Sequence, residues 1–181
     1  KDILKKLIAV CGDDLRGLRN KLLLQLGYET MRRRSEIVSF TFEDIEHLPN
    51  GRVGLVLRHS KTDQYGDGKL IPISDELFQL IKQWQKDSVL NKGKILRGFM
   101  RDGKTTHKEL NSASVNNILK ELQRKAKIEV NELSGHSFRV GAAVDLLDQG
   151  LSIEKIMLKG GWKSETTALM YLRNWQNWKT Y

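Results

Sequence analysis

The most informative stretch of the chain reads Ser134-Gly135-His136-Ser137-Phe138-Arg139-Val140-Gly141-Ala142-Ala143. His136 and Arg139 stand three residues apart, so they lie on one face of the helix that they open, near its positively polarised N-terminus. An imidazole and a guanidinium are placed there to reach one phosphate. The small residues that follow allow the helix to pack closely on a neighbour while its first turn stays exposed to a ligand. A His-x-x-Arg pair also arises readily by composition, so the rest of the chain must supply the context.

The surrounding sequence predicts a mainly α fold with a small antiparallel β-sheet (α+β). A leucine stripe predicts a helix over about 14–26 that ends near Gly27, and a further helical turn or two carries the arginine run 32–34. Two short apolar runs, 53–57 and 70–73, predict a β-hairpin with Lys61 near its turn. Apolar stripes over 77–84 and 115–126 predict core helices, and residues 140–147 predict a helix that stops at Gly150. Ser152 is expected to cap a short helix that ends before the Gly160-Gly161 pair.

The charge of the chain favours a polyanionic partner. It has 31 lysines and arginines against 22 aspartates and glutamates, a net charge of +9 over 181 residues. Nucleic acid and an anionic membrane surface both fit this charge. No apolar run approaches the roughly 18 residues of a spanning helix, and no cleavable N-terminal signal is visible, so we expect no membrane association. The single cysteine, Cys11, excludes an intramolecular disulfide framework, fits a reducing cytoplasm or nucleoid, and is assigned no role.

Five further residues complete the set of candidates. Arg33 lies one helical turn before Glu36, whose carboxylate is placed to hold its guanidinium and leave other donors for a phosphate. A solvated basic face with a surface ion pair is the competing interpretation. Lys61 at a hairpin turn is by default an ordinary exposed lysine. Trp162 and Tyr171 are equally compatible with packing roles, although an indole N–H can donate to a phosphate oxygen.

Together these side chains suggest chemistry on a phosphodiester. A phosphodiester gains negative charge in its five-coordinate transition state, so fixed cations and N–H donors aimed at its oxygens lower the barrier. A tyrosine hydroxyl supplies a nucleophile without a metal.

These stretches resemble the tyrosine site-specific recombinases, and most closely the Cre recombinase branch of the phage integrase family. Residues 28–37 resemble the box that carries the family's first arginine, which falls on Arg33, and residues 135–143 resemble the histidine and second-arginine box. Lys61-Thr62 is similar to the family's hairpin lysine. Residues 160–162 are similar to the next box, where Cre has tryptophan, and Met170-Tyr171-Leu172-Arg173-Asn174 carries the nucleophile.

The resemblance implies a role for each position. Tyr171 attacks the scissile phosphate and forms a 3′-phosphotyrosyl bond. Arg33 and Arg139 clamp the non-bridging oxygens, and Trp162 adds a donor. Lys61 protonates the departing 5′-oxygen, and His136 assists proton transfer at the phenol. Glu36 supports Arg33, and no metal or organic cofactor is required.

The resemblance also implies partners and organisation. We expect residues 1–181 to form a single C-terminal catalytic domain, with the family's N-terminal core-binding domain absent from this chain. The expected partner is double-stranded DNA. A homotetramer is expected on paired DNA sites, a monomer for the isolated domain, and a cytoplasmic, nucleoid-associated location in a bacterium or phage.

Three functions remain open at this point. The first is site-specific recombination or integration by strand cleavage and rejoining. The second is type IB topoisomerase-like relaxation, which shares the nucleophile and the phosphate clamp. The third is a non-catalytic DNA-binding regulator, which would normally lose one or more of the six positions.

Overall fold

A computed structural model describes residues 1–58, 68–103, 109–129, 132–162 and 170, without the side chain of Phe138. Over these ranges the chain is mainly helical, with one small antiparallel sheet, which confirms the predicted fold class. The helices are α1 (Asp2–Ala9), α2 (Leu15–Thr30), α3 (Arg34–Ile37), α4 (Asp75–Ser88), α5 (Ser112–Lys125), α6 (Gly135–Asp148) and α7 (Ile153–Gly160), with a 3₁₀ turn at Phe42–Asp44. No helix in these ranges is long and apolar enough to cross a membrane.

The sheet contains three strands, β1 (Ile45–His47), β2 (Val53–Leu57) and β3 (Lys69–Ile73), in the order β1-β2-β3. β2 pairs antiparallel with β3, with Leu55 opposite Ile71. This confirms the two strands of the predicted hairpin. β1, which pairs with β2 on its other edge, was not predicted. Lys61, the residue predicted near the hairpin turn, lies outside the described residues.

The main core is built around α2. Four of its leucines, Leu22, Leu23, Leu24 and Leu26, are fully buried, although consecutive residues point to different sides of a helix. The helix is covered on several sides because α4, α6 and β3 all contact it. Leu77, Ile81 and Trp84 of α4 and Val115, Leu119 and Leu122 of α5 belong to the same core, as their stripes predicted.

A second, smaller cluster joins α6 and α7. It contains Met31, Ala142, Ala143, Val144 and Ile156, with Trp162 packed at its edge. The predicted close packing after the His136–Arg139 pair is therefore confirmed for the two alanines. Ser152 caps α7 as expected, since its hydroxyl accepts a hydrogen bond from the Lys155 N–H at 3.4 Å.

Two predicted helix boundaries were wrong. α2 does not end near Gly27 but continues to Thr30, and Gly27 is buried within it. It ends where Met31 adopts a left-handed conformation (φ 55°) and its N–H bonds Gly27 O at 3.1 Å. The arginine run is also not helical throughout. Arg33 is extended (ψ 151°) and precedes α3, which begins at Arg34.

Candidate active site

Three helix ends meet at the candidate site: the start of α3, the start of α6 and the end of α7. A Cβ built on Gly135 would lie 2.8 Å from the Arg34 Cβ, so the first residue of α6 lies almost against the first residue of α3. The Gly135 N–H donates to Asn116 Oδ1 of α5 at 2.9 Å. The starts of α3 and α6 therefore lie side by side, and α5 holds the start of α6 through this hydrogen bond.

Arg139 connects all three elements. The residue is buried, with 6% of its surface exposed. Its Nε donates to Met31 O at 3.1 Å, just before α3, and its Nη2 donates to Gly160 O at 2.7 Å, at the end of α7. A guanidinium carries five donors in one plane, and these two bonds fix the orientation of that plane.

Trp162 packs on Arg139. The Arg139 Cζ lies 4.7 Å from the centroid of the indole ring, within the range of a cation–π contact. The two preceding glycines allow this geometry. A Cβ on Gly160 would lie 2.6 Å from a carbon of the Trp162 ring, and Gly161 ends α7 in the left-handed region (φ 71°), which a side chain disfavours.

His136 lies one turn from Arg139 on the exposed side of α6. Burial of part of the ring and, second, the positive charge of Arg139 lower the pKa of the His136 imidazole. This shift favours the neutral imidazole, in which one ring nitrogen can accept a proton and the N–H of the other can donate a hydrogen bond.

Arg33 and Glu36 form the contact that the sequence predicted, but with different local geometry. Arg33 stands at the N-cap position, and its backbone N–H donates to Glu36 Oε1 at 3.2 Å. Its Nη1 lies 3.8 Å from the same oxygen. The Arg33 side chain is 37% exposed, while that of Glu36 is 8% exposed. The buried carboxylate therefore holds Arg33 from the protein side, and part of the Arg33 side chain remains accessible to solvent.

Two basic residues that the sequence analysis did not select also lie at this junction. Arg32 is buried and donates from Nη2 to Lys159 O at 2.8 Å, and Lys69 of β3 donates from Nζ to Leu158 O at 2.5 Å. Neither carried a sequence signal. Arg32 sits in a basic run that would ordinarily be solvated, and Lys69 begins a strand.

The structure thus describes four of the six predicted catalytic positions. Arg139 contacts Trp162 and lies one turn from His136, and Arg33 directly precedes α3, whose first residue lies against the start of α6. Lys61 and Tyr171 lie outside the described residues. In the described ranges, no group of three or more His, Cys, Asp or Glu side chains is arranged to hold a metal ion.

Comparison with curated proteins identifies integrases and recombinases as relatives of this chain. The chain is 31% identical over 166 residues to an integrase/recombinase xerD homolog of Selenomonas ruminantium, a match that covers 88% of this chain and 48% of the relative. It is 28% identical over 175 residues to the recombinase cre of Escherichia phage P1, covering 90% and 51%. These two identities are similar, so a particular closeness to the Cre branch is only loosely supported. The chain spans about half the length of the curated relatives it matches.

The fold is also that of a solved recombinase structure. The XerH site-specific recombinase, bound to a palindromic difH substrate in a post-cleavage complex, superposes with a TM-score of 0.73 at 15% identity, covering 96% of this chain and 48% of that one. The sequence profile described as the phage integrase family matches residues 1–177. This chain therefore belongs to the phage integrase family of tyrosine recombinases.

Proposed function

We propose that this chain is the catalytic domain of a site-specific DNA recombinase or integrase that cuts and rejoins strands through a 3′-phosphotyrosyl intermediate. The observation that carries the proposal is the position of Arg139. This buried guanidinium is fixed by two carbonyls, stacks on Trp162 and lies one turn from His136. Such an arrangement is preorganised to receive an anion, because the donors need not reorient when charge develops.

We assign a role in the cleavage reaction to each predicted catalytic residue. The Tyr171 oxygen attacks phosphorus, its proton passes to His136, and the bond from phosphorus to the 5′-oxygen breaks. Lys61 supplies the proton that the 5′-oxygen takes up. Arg33 and Arg139 stabilise the charge on the non-bridging oxygens, and the Trp162 indole N–H donates to one of them. Because one phosphoester replaces another, the bond energy is kept for religation by the reverse steps.

The one tyrosine within the described ranges is poorly suited to be the nucleophile. Tyr28 donates its hydroxyl to Asp145, more than two turns along α6 from His136. Burial and this contact raise the pKa of Tyr28 above its ordinary value. A phenol with a raised pKa is a weaker source of phenolate, which supports the assignment of the nucleophile to Tyr171.

The proposed partner is double-stranded DNA, which matches the net charge of +9. We propose further that the 181 residues are the C-terminal catalytic domain of a protein that acts in the cytoplasm, in association with the nucleoid. Four copies would assemble on two paired sites, whereas the isolated domain would be a monomer. The palindromic substrate of the structurally similar XerH supports symmetric pairs of subunits, since a two-fold site presents two equal halves.

The other two functions are not favoured. The relatives are named integrases and recombinases rather than topoisomerases. All six family positions are occupied by the expected residue types, whereas a regulator that had lost catalysis would tolerate changes there.

A suicide-substrate assay tests the proposal. The full-length protein is incubated with nicked DNA that carries a site from the flanks of its own genetic element, so that cleavage releases a short fragment and religation stops. We expect a covalent protein–DNA band on a denaturing gel for the wild type and for Tyr28→Phe, and none for Tyr171→Phe. A band that persists with Tyr171→Phe would place the nucleophile elsewhere. A wild type that binds the site without forming the band would favour the regulator.

A relaxation assay separates recombination from topoisomerase activity. We expect strand exchange between two paired sites and little relaxation of a supercoiled plasmid that lacks them. Efficient relaxation without a site would instead favour the type IB topoisomerase function.

A further inference from the structure

Arg32 is a buried arginine at the edge of the candidate site, and the family resemblance assigns it no role. Only 4% of the surface of this residue is exposed. A long charged side chain is rarely buried unless its charge and donors are used, because removing the charge from water is costly. Burial indeed lowers the pKa of Arg32, while the charge of Glu36 opposes this effect.

The Arg32 guanidinium lies directly against the end of α7. Its Nη2 donates to Lys159 O at 2.8 Å, and a Cβ built on Gly161 would lie 2.5 Å from its Nη1. The last carbonyls of a helix have no partner within the helix, and a cation at this end also complements the helix dipole. Arg32 therefore satisfies a carbonyl of α7 and packs against the turn that leads into Trp162.

Arg32 and Arg139 bond successive carbonyls of the same helix end. Arg32 donates a hydrogen bond to Lys159 O, and Arg139 donates one to Gly160 O. The indole of Trp162, two residues after Gly160, packs on Arg139. The position of α7 relative to α3 thus depends on two guanidiniums, of which one is a predicted phosphate ligand. A displacement of α7 would move the Gly160 carbonyl and the Trp162 indole. Arg139 is oriented by its hydrogen bond to this carbonyl and by its stacking on this indole.

Glu36 connects Arg32 to the other predicted phosphate ligand. Its Oε1 holds the Arg33 N–H, and its negative charge acts on Arg32. Within the described ranges, Arg32 Nε and Glu36 Oε2 are both buried without a hydrogen-bond partner. Such atoms are rare in folded proteins, and a functional site is one of the places where they occur.

We propose that Arg32 is a positioning residue, which holds the end of α7 against α3 and so sets the orientation of Arg139 and Trp162 for the transition state. The catalytic consequence of this inference rests on the proposed function. The contact of Arg32 with α7 is independent of the proposed function. Arg32 acts through other residues and contacts no phosphate itself.

The experiment compares Arg32→Met with Arg34→Met in the full-length protein. Both variants remove one positive charge from the same run, but Arg34 is exposed, and methionine preserves the Cβ and Cγ that pack near Gly135. In Arg32→Met, we expect single-turnover cleavage at saturating DNA to fall about 10- to 100-fold, since a misplacement of about 1 Å can cost about 10²-fold. In Arg34→Met, the rate at saturating DNA should stay within about twofold of the wild type.

Salt dependence distinguishes positioning from DNA contact. The slope of log Kd against log salt concentration should be unchanged in Arg32→Met, whereas loss of a phosphate contact reduces it by about one. A reduced slope with a normal rate at saturating DNA would overturn the proposal and make Arg32 a DNA contact.

A spectroscopic measurement tests the contact with α7 independently of cleavage. The protein is labelled with 5-fluorotryptophan, and the Trp162 ¹⁹F signal is assigned with Trp162→Phe. We expect this signal to shift and broaden in Arg32→Met, while that of Trp84, buried in the main core, stays unchanged. Arg32→Lys retains a charged donor and should partly restore both the Trp162 signal and the cleavage rate. If Arg32→Met fails to fold, Arg32→Lys replaces it in the same measurements.

An unchanged Trp162 signal and a normal rate in both Arg32 variants would overturn the inference. If the wild type forms no covalent adduct, the proposed function fails. The ¹⁹F comparison would still decide whether Arg32 holds the end of α7.

Discussion

The contact between α6 and α3 predicts opposite effects for two glycine-to-alanine changes in one helix. Gly135 is buried at the first residue of α6, against Arg34, whereas a Cβ on Gly141 would meet no atom within 4 Å among the described residues. Both positions are helical, so glycine is not needed for its backbone freedom. The difference between the two variants therefore measures the close approach of the helices.

The structure gives the magnitude of this difference. A Cβ on Gly135 would lie 2.8 Å from the Arg34 Cβ, while packed carbons normally stay about 3.5–4.0 Å apart. The two helix starts must then separate by about 0.7 Å. Overpacking of this kind costs about 1–3 kcal/mol. At Gly141 alanine introduces no clash, and its better helix propensity stabilises the protein by up to about 1 kcal/mol.

Thermal unfolding and single-turnover cleavage measure the two consequences. A change of 1 kcal/mol shifts Tm by about 2–4 °C in a protein of this size, so Gly135→Ala should lower Tm by about 2–12 °C and Gly141→Ala should raise it by up to about 4 °C. Because the clash separates His136 from Arg33, we expect cleavage by Gly135→Ala to slow about tenfold. Equal Tm values and equal rates for the two variants would refute the close packing of α6 on α3.

Three further predictions follow from other parts of the chain. Val89 is 88% exposed and has a left-handed backbone (φ 58°), so Val89→Gly should raise the unfolding free energy by about 1 kcal/mol; a lower Tm would contradict this. Burial raises the pKa of Cys11 to about 11, so at pH 8 iodoacetamide should alkylate the folded protein about 10²-fold more slowly than the urea-unfolded one. Because burial lowers the pKa of His136, the unfolded state binds a proton first as pH falls below about 6.5. The free energy of unfolding should therefore decrease as the pH falls below about 6.5, and it should decrease less in His136→Gln. Identical pH profiles for the wild type and His136→Gln would exclude the effect.

Local patterns in the sequence predicted α2, α4, α5, α6 and α7 and the relation of His136 to Arg139, because each depends on spacing along one helix. The cap of α7 by Ser152 and the glycine pair before Trp162 followed from the same kind of local rule. Tertiary packing decided the rest. α2 passes through Gly27 because its neighbours bury that residue, which overrides the low helix propensity of glycine.

Arg32 shows the limit of such prediction most clearly. A run of three arginines indicates a solvated basic face, and nothing in the sequence separates the buried member from its neighbours. The left-handed turn at Met31 and the carbonyl of Lys159, 127 residues further along the chain, determine which of them is buried. Such a long-range partner has no local sequence signal.

The most direct test of the central claim is to identify the residue that carries the DNA. The adduct from a suicide substrate is digested with nuclease and trypsin, and the peptides are analysed by mass spectrometry. The four tyrosines fall in four different tryptic peptides, residues 22–32, 62–69, 164–173 and 180–181. We predict a nucleotide joined through a 3′-phosphate to Tyr171 in peptide 164–173. A nucleotide on Tyr28, Tyr65 or Tyr181, or on a serine, would contradict the account.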